Sequence, residues 1–422
     1  MPLTTSLRAR SHFVVKRSFD LTAAFSPQRC ASPSSSTFSP SSLFRKLSTS
    51  AAGGSPPVSF IGTKHLLTLR DLSPPQILAL VRRSLELKDE MRTAREQQHH
   101  SYISNRRDDD TQTRYRSGGG GGGDGGGDGT TPLAGKTLAM IFTKRSTRTR
   151  VSAETGWAHY GGHPMFLGKD DIQIGGGEPL RDTAIVVSSM VDAILARVGE
   201  HEEIETLAKN STVPVINALT ARFHPLQALA DIMTLYETVI PDALNYPASA
   251  KLPLPLLPPL KVAWVGDANN IIHSLLVSLP RIGPISLTVA TPQGYNCDPE
   301  VVSDAVGEAT GGDKRGEVKF TRDPAVAVRD ADFIITDTWV SMGQEAEKAK
   351  RLRDFAGYQV TEKMASGAKP DWKFMHCLPR KAEEVDDEVF YNPNRSIVFQ
   401  EAENRKYTVM AVYEMLMLWA KN

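Results

Sequence analysis

The segment Phe142-Thr143-Lys144-Arg145-Ser146-Thr147-Arg148-Thr149-Arg150 places hydroxyl and guanidinium groups directly after the apolar run that starts at Thr137. The run reads as a buried strand. Val151, Thr155 and Ala158, at i, i+4 and i+7, mark the next stretch, Thr147 to Tyr160, as a helix that Gly161-Gly162 stops. Ser146 therefore falls where a helix begins. Unpaired backbone N–H groups and the positive end of the dipole make that place an anion site. The hydroxyls of Ser146, Thr147 and Thr149 and the Arg148 guanidinium complete a cradle for a small phosphorylated compound. Taken alone, a basic run is equally a solvated face, so the rest of the chain has to decide.

Apolar runs at 138–142, 193–198, 213–216, 262–266, 285–290, 333–336 and 373–375 alternate with helical patterns. That alternation predicts an α/β fold with parallel sheets. In such sheets ligands bind beyond the carboxyl ends of the strands. The residues after the successive runs are Ser146-Thr147-Arg148-Thr149, then Arg197, then His224-Pro225-Leu226-Gln227. Further on come Gly266-Asp267-Ala268-Asn269-Asn270, then Asp337 with Ser341-Met342-Gly343, and finally His376-Cys377-Leu378-Pro379-Arg380. Chemically capable side chains thus gather at one end of six strands. Each has a plain structural alternative: His224 as a core histidine, Cys377 as a small buried hydrophobe, Asp337 as a loop cap, Arg197 in an ion pair.

Several functions are excluded or weakened. The formal net charge of 422 residues is +1, and no basic patch interleaves with aromatics, which argues against nucleic-acid binding. No apolar stretch approaches transmembrane length. Gly135-Lys136-Thr137 does not complete a Walker A loop, because Thr130 stands where glycine is required and Thr137 begins a strand. The dinucleotide fingerprint Gly-x-Gly-x-x-Gly is absent after Val265. The histidines offer no metal-spaced pair beyond His99-His100 in a polar stretch, and three cysteines make neither a disulfide framework nor a thiolate metal site. No metal or cofactor is expected.

Taken together, Ser146-Thr147-Arg148-Thr149 and His224-Pro225-Leu226-Gln227 resemble the aspartate/ornithine carbamoyltransferase family. Asp337, Ser341-Met342-Gly343-Gln344-Glu345 and His376-Cys377-Leu378-Pro379-Arg380 are similar to its ornithine branch, mitochondrial type. The resemblance runs from about residue 60 to the C-terminus. It implies two doubly wound domains, each with a central parallel sheet flanked by helices, joined by interdomain helices. It also implies transfer of a carbamoyl group from carbamoyl phosphate to the δ-amino group of L-ornithine. Carbamoyl phosphate would meet Ser146, Thr147, Arg148, Thr149, Arg197 and Arg405. Thr149, Arg197 and His224 would face its carbonyl oxygen, and Gln227 and the Leu378 carbonyl its amide, with Cys377 near the reacting nitrogen. Gln173 aligns with a position that reaches a neighbouring subunit's site in a homotrimer. Ornithine would meet Asn270, Asp337, Ser341 and the Met342 backbone. Arg148, Arg197, His224 and Cys377 form the expected catalytic set. Alternatives are a carbamoyltransferase for putrescine or N-acetylornithine, and a catalytically silent regulatory relative.

The expected organisation is a presequence over 1–55, a carbamoyl phosphate domain over 56–239, an ornithine domain over 240–400 and a C-terminal helix over 401–422 that packs back on the first domain. The presequence is rich in arginine and serine, holds a single acid, Asp20, and lacks a secretory apolar core; it matches a mitochondrial transit peptide and predicts the matrix. A first helix is expected over Leu72 to Arg92, opened by Ser73-Pro74-Pro75. A flexible glycine-rich insertion is expected over about 104–131, and a proline-rich loop over 241–259.

Overall fold

A computed structural model of the chain describes residues 58–108, 131–170, 172, 177–309, 316–341 and 343–420. The presequence, Gln173, Met342 and all of the glycine tract lie outside the described residues. Helix α1 spans Pro74–Asp108. It runs past Arg92, where the expected helix ends, and through the first residues of the expected insertion. Ala94, Arg95, Glu96, Gln97 and Gln98 are good helix formers without a glycine or proline among them, so nothing there stops the helix.

The first sheet holds β1 (Thr137–Phe142), β2 (His163–Gly168), β3 (Ala193–Arg197) and β4 (Val215–Leu219), all parallel, in the order β2-β1-β3-β4. Helices α2 (Thr147–His159), α3 (Leu180–Ser188), α4 (His201–Asn210) and α5 (Pro225–Val239) follow these strands in turn. The second sheet holds β5 (Leu260–Val265), β6 (Ile285–Ala290), β7 (Val318–Thr321), β8 (Phe333–Thr336) and β9 (Lys373–His376), also parallel, in the order β7-β6-β5-β8-β9. Its helices include α6 (Asn270–Leu276), α7 (Pro299–Ala309) and α8 (Lys348–Asp354), and the chain closes with α9 (Val398–Glu414). This is the α/β architecture that the alternation implied.

In both sheets the chain leaves a central strand to one side and returns to the other. The reversal lies between β1 and β3 in the first sheet and between β5 and β8 in the second. Such a switch point opens a crevice at the carboxyl ends, because the flanking loops diverge there. Thr143 N donates to Arg197 O at 3.0 Å across the first, which brings the Ser146 loop beside Arg197.

Two strands, β2 and β7, escaped the sequence reading, and both lie at sheet edges with exposed residues along them. An edge strand wetted on one side carries no continuous apolar run. The opposite edges are covered instead, by parallel bridges from Leu66 to Ile216 and from Ser396 to Phe374.

Helix α9 packs against α1, α2 and α5. Gly156 of α2 permits the close approach, since a Cβ there would lie 2.9 Å from Met410 Cγ. Trp157 then meets Tyr413 edge to face at 4.9 Å, both fully buried.

At the β4 edge, His65 Nδ1 accepts from Val215 N at 3.0 Å. Burial, and after it the Lys64 charge, lower this imidazole from 6.5 to about 4. A group with a depressed folded pKa favours its neutral form, so the stability it contributes is complete above about pH 6.5 and is lost toward about pH 4. The thermal midpoint is expected to fall across that interval. His65→Asn, whose Oδ1 can accept in place of Nδ1, should flatten this part of the profile; an unchanged slope would assign the loss to other groups.

Candidate active site

Ser146 is the N-cap of α2: its backbone is extended and its Oγ accepts from Thr149 N at 3.4 Å. The Ser146 hydroxyl also donates to Thr149 Oγ1 at 3.0 Å. Arg405, from α9, reaches the same place and donates to Thr149 Oγ1 at 3.2 Å and to Gln227 Oε1 at 2.8 Å. Arg148 donates to the Leu378 carbonyl, which joins α2 of the first sheet to the loop after β9 of the second. Leu378 holds its carbonyl in place with a left-handed backbone, φ 61°, while its N–H donates to His376 Nδ1 at 2.9 Å.

Charge in this pocket is unbalanced. Arg197 and Arg405 are buried, and burial lowers each from 12.5 to about 10, with Arg148 contributing repulsion to both. Both remain guanidinium ions at neutral pH. Buried His224 at the head of α5 is held well below the ordinary histidine range by burial and then by Arg405, Arg197 and Arg148, so its ring is neutral. Arg197 Nε, Arg405 Nε and His224 Nδ1 are all buried without a hydrogen-bond partner. Several cations, a helix N-terminus and unpartnered polar atoms in one place are what a dianion with a polar carbonyl would satisfy.

The second wall is acidic and small. Buried Asp337, just after β8, accepts from the Cys377 thiol at 2.8 Å on Oδ1 and from Asn269 Nδ2 at 2.7 Å on Oδ2. The Asn269 bond crosses the β5/β8 switch point. Burial, then the Asp337 charge, pushes the Cys377 thiol far above its ordinary range. A protonated thiol hydrogen-bonded to a carboxylate orients a neighbour; it is a poor nucleophile.

Asp337, His376 and Cys377 present ligand atoms within 4.8 Å of one another. Both nitrogens of His376 are already engaged, however, Nε2 with Glu384 Oε2 at 3.0 Å and Nδ1 with Leu378 N. The histidine serves the loop it stands in.

Asn270 occupies the first turn of α6, but its Nδ2 donates to Thr220 O at 2.6 Å, while Asn269 is the cap that bonds Asp337. Ser341 follows a segment tied down by Lys381, which donates to Thr338 Oγ1 and Val340 O at 3.2 and 3.0 Å. Arg351 of α8 donates to Trp339 O and Asp267 Oδ2 at 2.9 and 3.0 Å and holds the same segment from behind. Ser341 N donates to Gln344 Oε1 at 3.1 Å.

The structure therefore joins Ser146, Thr149, Arg405 and Gln227 in one hydrogen-bonded chain, links Arg148 to Leu378, and pairs Asp337 with Cys377. Thr147 is exposed in the first turn of α2. Sequence reasoning gave no role to Asn269, Asp231 or Glu401. The last two are buried acids that both accept from Gln227 Nε2 at 2.8 Å. A signal was present: Gln227 with Asp231, and Glu401 with Arg405, are i,i+4 polar pairs on otherwise buried helices.

Residues 64–237 match the model of the aspartate/ornithine carbamoyltransferase carbamoyl-P binding domain, and residues 259–416 that of the Asp/Orn binding domain of the same family. A mitochondrial ornithine carbamoyltransferase of Emericella nidulans is 46% identical over 361 residues, which cover 85% of this chain and 90% of the relative. The Schizosaccharomyces pombe counterpart is 46% identical over 355 residues, 84% and 94% of the two chains. Among solved structures, a mitochondrial ornithine carbamoyltransferase from Coccidioides immitis superposes with a TM-score of 0.68 at 42% identity, covering 85% of this chain and 99% of its own. The ornithine carbamoyltransferase of Pyrococcus furiosus gives 0.69 at 39% identity, covering 85% and 98%. With both halves of the site on family domains and the sheets arranged to oppose them, the chain belongs to the aspartate/ornithine carbamoyltransferase family.

Proposed function

We propose that the protein transfers the carbamoyl group of carbamoyl phosphate to the δ-nitrogen of L-ornithine, giving L-citrulline and phosphate. The observation that carries this reading is the junction of a cationic helix-terminus cradle, built on Ser146, Arg148, Thr149, Arg197 and Arg405, with the Asp337–Cys377 pair. The phosphate occupies the cradle. Thr149, Arg197 and His224 face the carbamoyl oxygen, where negative charge grows as the amine attacks, and preorganised donors there lower the barrier. Gln227 and the Leu378 carbonyl accept from the carbamoyl amide. The neutral δ-amine forms the new N–C bond, the C–O bond to phosphate breaks, and the departing phosphate takes the amine proton. A free alkylammonium has a pKa of about 10, so the site acts on the deprotonated minority. Asp337, Ser341, Asn270 and the Met342 backbone hold the amino-acid end, with Asn269 orienting Asp337. The chemistry needs no metal or cofactor.

By the same reading 56–239 binds carbamoyl phosphate, 240–400 binds ornithine, and 401–422 returns to the first domain, where α9 supplies Arg405. Residues 1–55 act as a presequence for the mitochondrial matrix, in keeping with the mitochondrial relatives. Assembly is a homotrimer, with Gln173 reaching a neighbour's site. Val151 on α2 and Ile185 and Val186 on α3 are exposed apolar side chains that contact with another subunit would cover. Citrulline formation by protein lacking residues 1–55 tests the activity. Ornithine alone should serve as acceptor beside putrescine, N-acetylornithine and aspartate. Activity with only another amine overturns the acceptor assignment, and none with any overturns the enzyme reading.

A further inference from the structure

Gln227 has both ends of its amide committed. Nε2 donates to Asp231 Oδ1, one turn along α5, and to Glu401 Oε1 at the start of α9, each at 2.8 Å. Oε1 accepts from Arg405 at 2.8 Å. Glu401 also ties this amide to the β9 loop, because its Oε2 accepts from His376 N at 2.9 Å, one residue before Cys377. Asp231, Glu401 and Gln227 are all about 1% exposed, so bulk solvent does not reach the cluster. Burial raises both carboxyls above the ordinary range, and the charge of Asp231 raises Glu401 further. Two acids this close favour sharing a proton, because both cannot readily ionise out of water.

The arrangement decides which way the amide points. With both N–H groups given to the acids, the oxygen must face the Arg405 side. A flipped amide would set its NH2 against the Arg405 guanidinium, donor to donor, and against any N–H of a bound substrate. An amide oxygen has two acceptor sites. Arg405 fills one, and among the described residues no other hydrogen bond to this oxygen is found.

We propose that Asp231 and Glu401 are positioning residues that lock the Gln227 oxygen toward the transferred group, and so make the site select a group bearing N–H over a methyl group of the same shape. This rests on the reading above, in which Gln227 faces the carbamoyl amide. A site built to accept a hydrogen bond rejects the analogue that cannot make it, since its own polar atom is left unpaired.

Phosphonoacetamide and acetonylphosphonate differ only by NH2 against CH3 next to the carbonyl, and neither contains a hydrolysable acyl phosphate. Their affinities, with that of inorganic phosphate, are measured by calorimetry on unaltered protein, Glu401→Gln, Asp231→Asn and Asp231→Leu. Unaltered protein should prefer the amide by at least about tenfold, a single buried hydrogen bond. Glu401→Gln keeps one acceptor oxygen for two donors, Gln227 Nε2 and His376 N, and should lose most of that preference while phosphate affinity stays within about threefold. Asp231→Leu, the second variant, should lose it likewise. Asp231→Asn still accepts from Gln227 and donates to Glu401, and should restore the preference that Asp231→Leu removes. An unchanged preference in Glu401→Gln or Asp231→Leu overturns the proposal, as does an equal weakening of all three ligands. Failure of both phosphonates to bind unaltered protein overturns the carbamoyl phosphate reading, and this proposal with it.

Discussion

Arg148→Met is expected to lower kcat/KM for carbamoyl phosphate by roughly 1,000-fold, or ~4 kcal/mol of transition-state stabilisation. Arg148 stands in the first turn of α2, where its guanidinium adds a mobile charge to the fixed N–H groups of the helix terminus. In this structure it donates to the Leu378 carbonyl. On the proposed reading a phosphate dianion offers that guanidinium a fork-shaped partner, and the Leu378 carbonyl accepts from the carbamoyl amide. Removing Arg148 therefore costs a charge-assisted contact and leaves Leu378 to be satisfied another way. One effect works against the loss. Arg148 repels Arg197 and Arg405 and depresses His224, so its removal relaxes three neighbours. For that reason the thermal midpoint of the unliganded variant should be unchanged or raised, and the loss should appear in turnover. Arg148→Lys restores the charge without the planar fork and should recover only about tenfold. Steady-state kinetics with both variants decide the matter; a kcat/KM within about threefold of unaltered protein would remove Arg148 from the phosphate site.

How much of this site could be read in the sequence depends on where each residue gets its meaning. Ser146, Arg197, His224, Asp337 and Cys377 stand out in the sequence as candidates because each lies at, or in the loop after, the carboxyl end of a strand, where parallel sheets bind ligands. Central strands were legible for a related reason: buried on both faces, they print continuous apolar runs. Strands β2 and β7 did not, because their outer faces meet water. Asn269 and Asn270 are adjacent and alike, and only the capping geometry of α6 assigns Asp337 to the first. Asp231 and Glu401 looked like ordinary helix polarity. Their role exists only because α5 and α9 turn those faces toward each other, where Gln227 meets Glu401 and Asn404 meets Thr234 at 2.9 Å. Pairing of this kind spans well over 150 residues of chain and leaves no local mark.

Asp337→Asn is expected to raise the KM for ornithine about 100-fold while leaving that for carbamoyl phosphate within about threefold. In this structure both carboxylate oxygens of Asp337 accept hydrogen bonds, one from the Cys377 thiol and one from Asn269. An asparagine must turn its NH2 toward one of these donors, so one bond is lost and the remaining partner is misaimed. The charge is lost as well, and with it the counter-ion for an ammonium arriving in a buried place. Burial holds the Asp337 carboxyl above its ordinary range, opposed by His376, Cys377 and the Thr338 backbone. Protonation therefore begins at a higher pH than in an exposed aspartate, and ornithine affinity should weaken on that acidic limb. The variant has no charge to lose, so its KM for ornithine should be flat over the same interval. Profiles of KM against pH for both substrates separate this from a folding defect. Parallel losses for carbamoyl phosphate and ornithine would mean that Asp337 supports the loop, with the amine held elsewhere. A loss confined to ornithine, with the acidic limb abolished, would fix Asp337 as the anion that receives it.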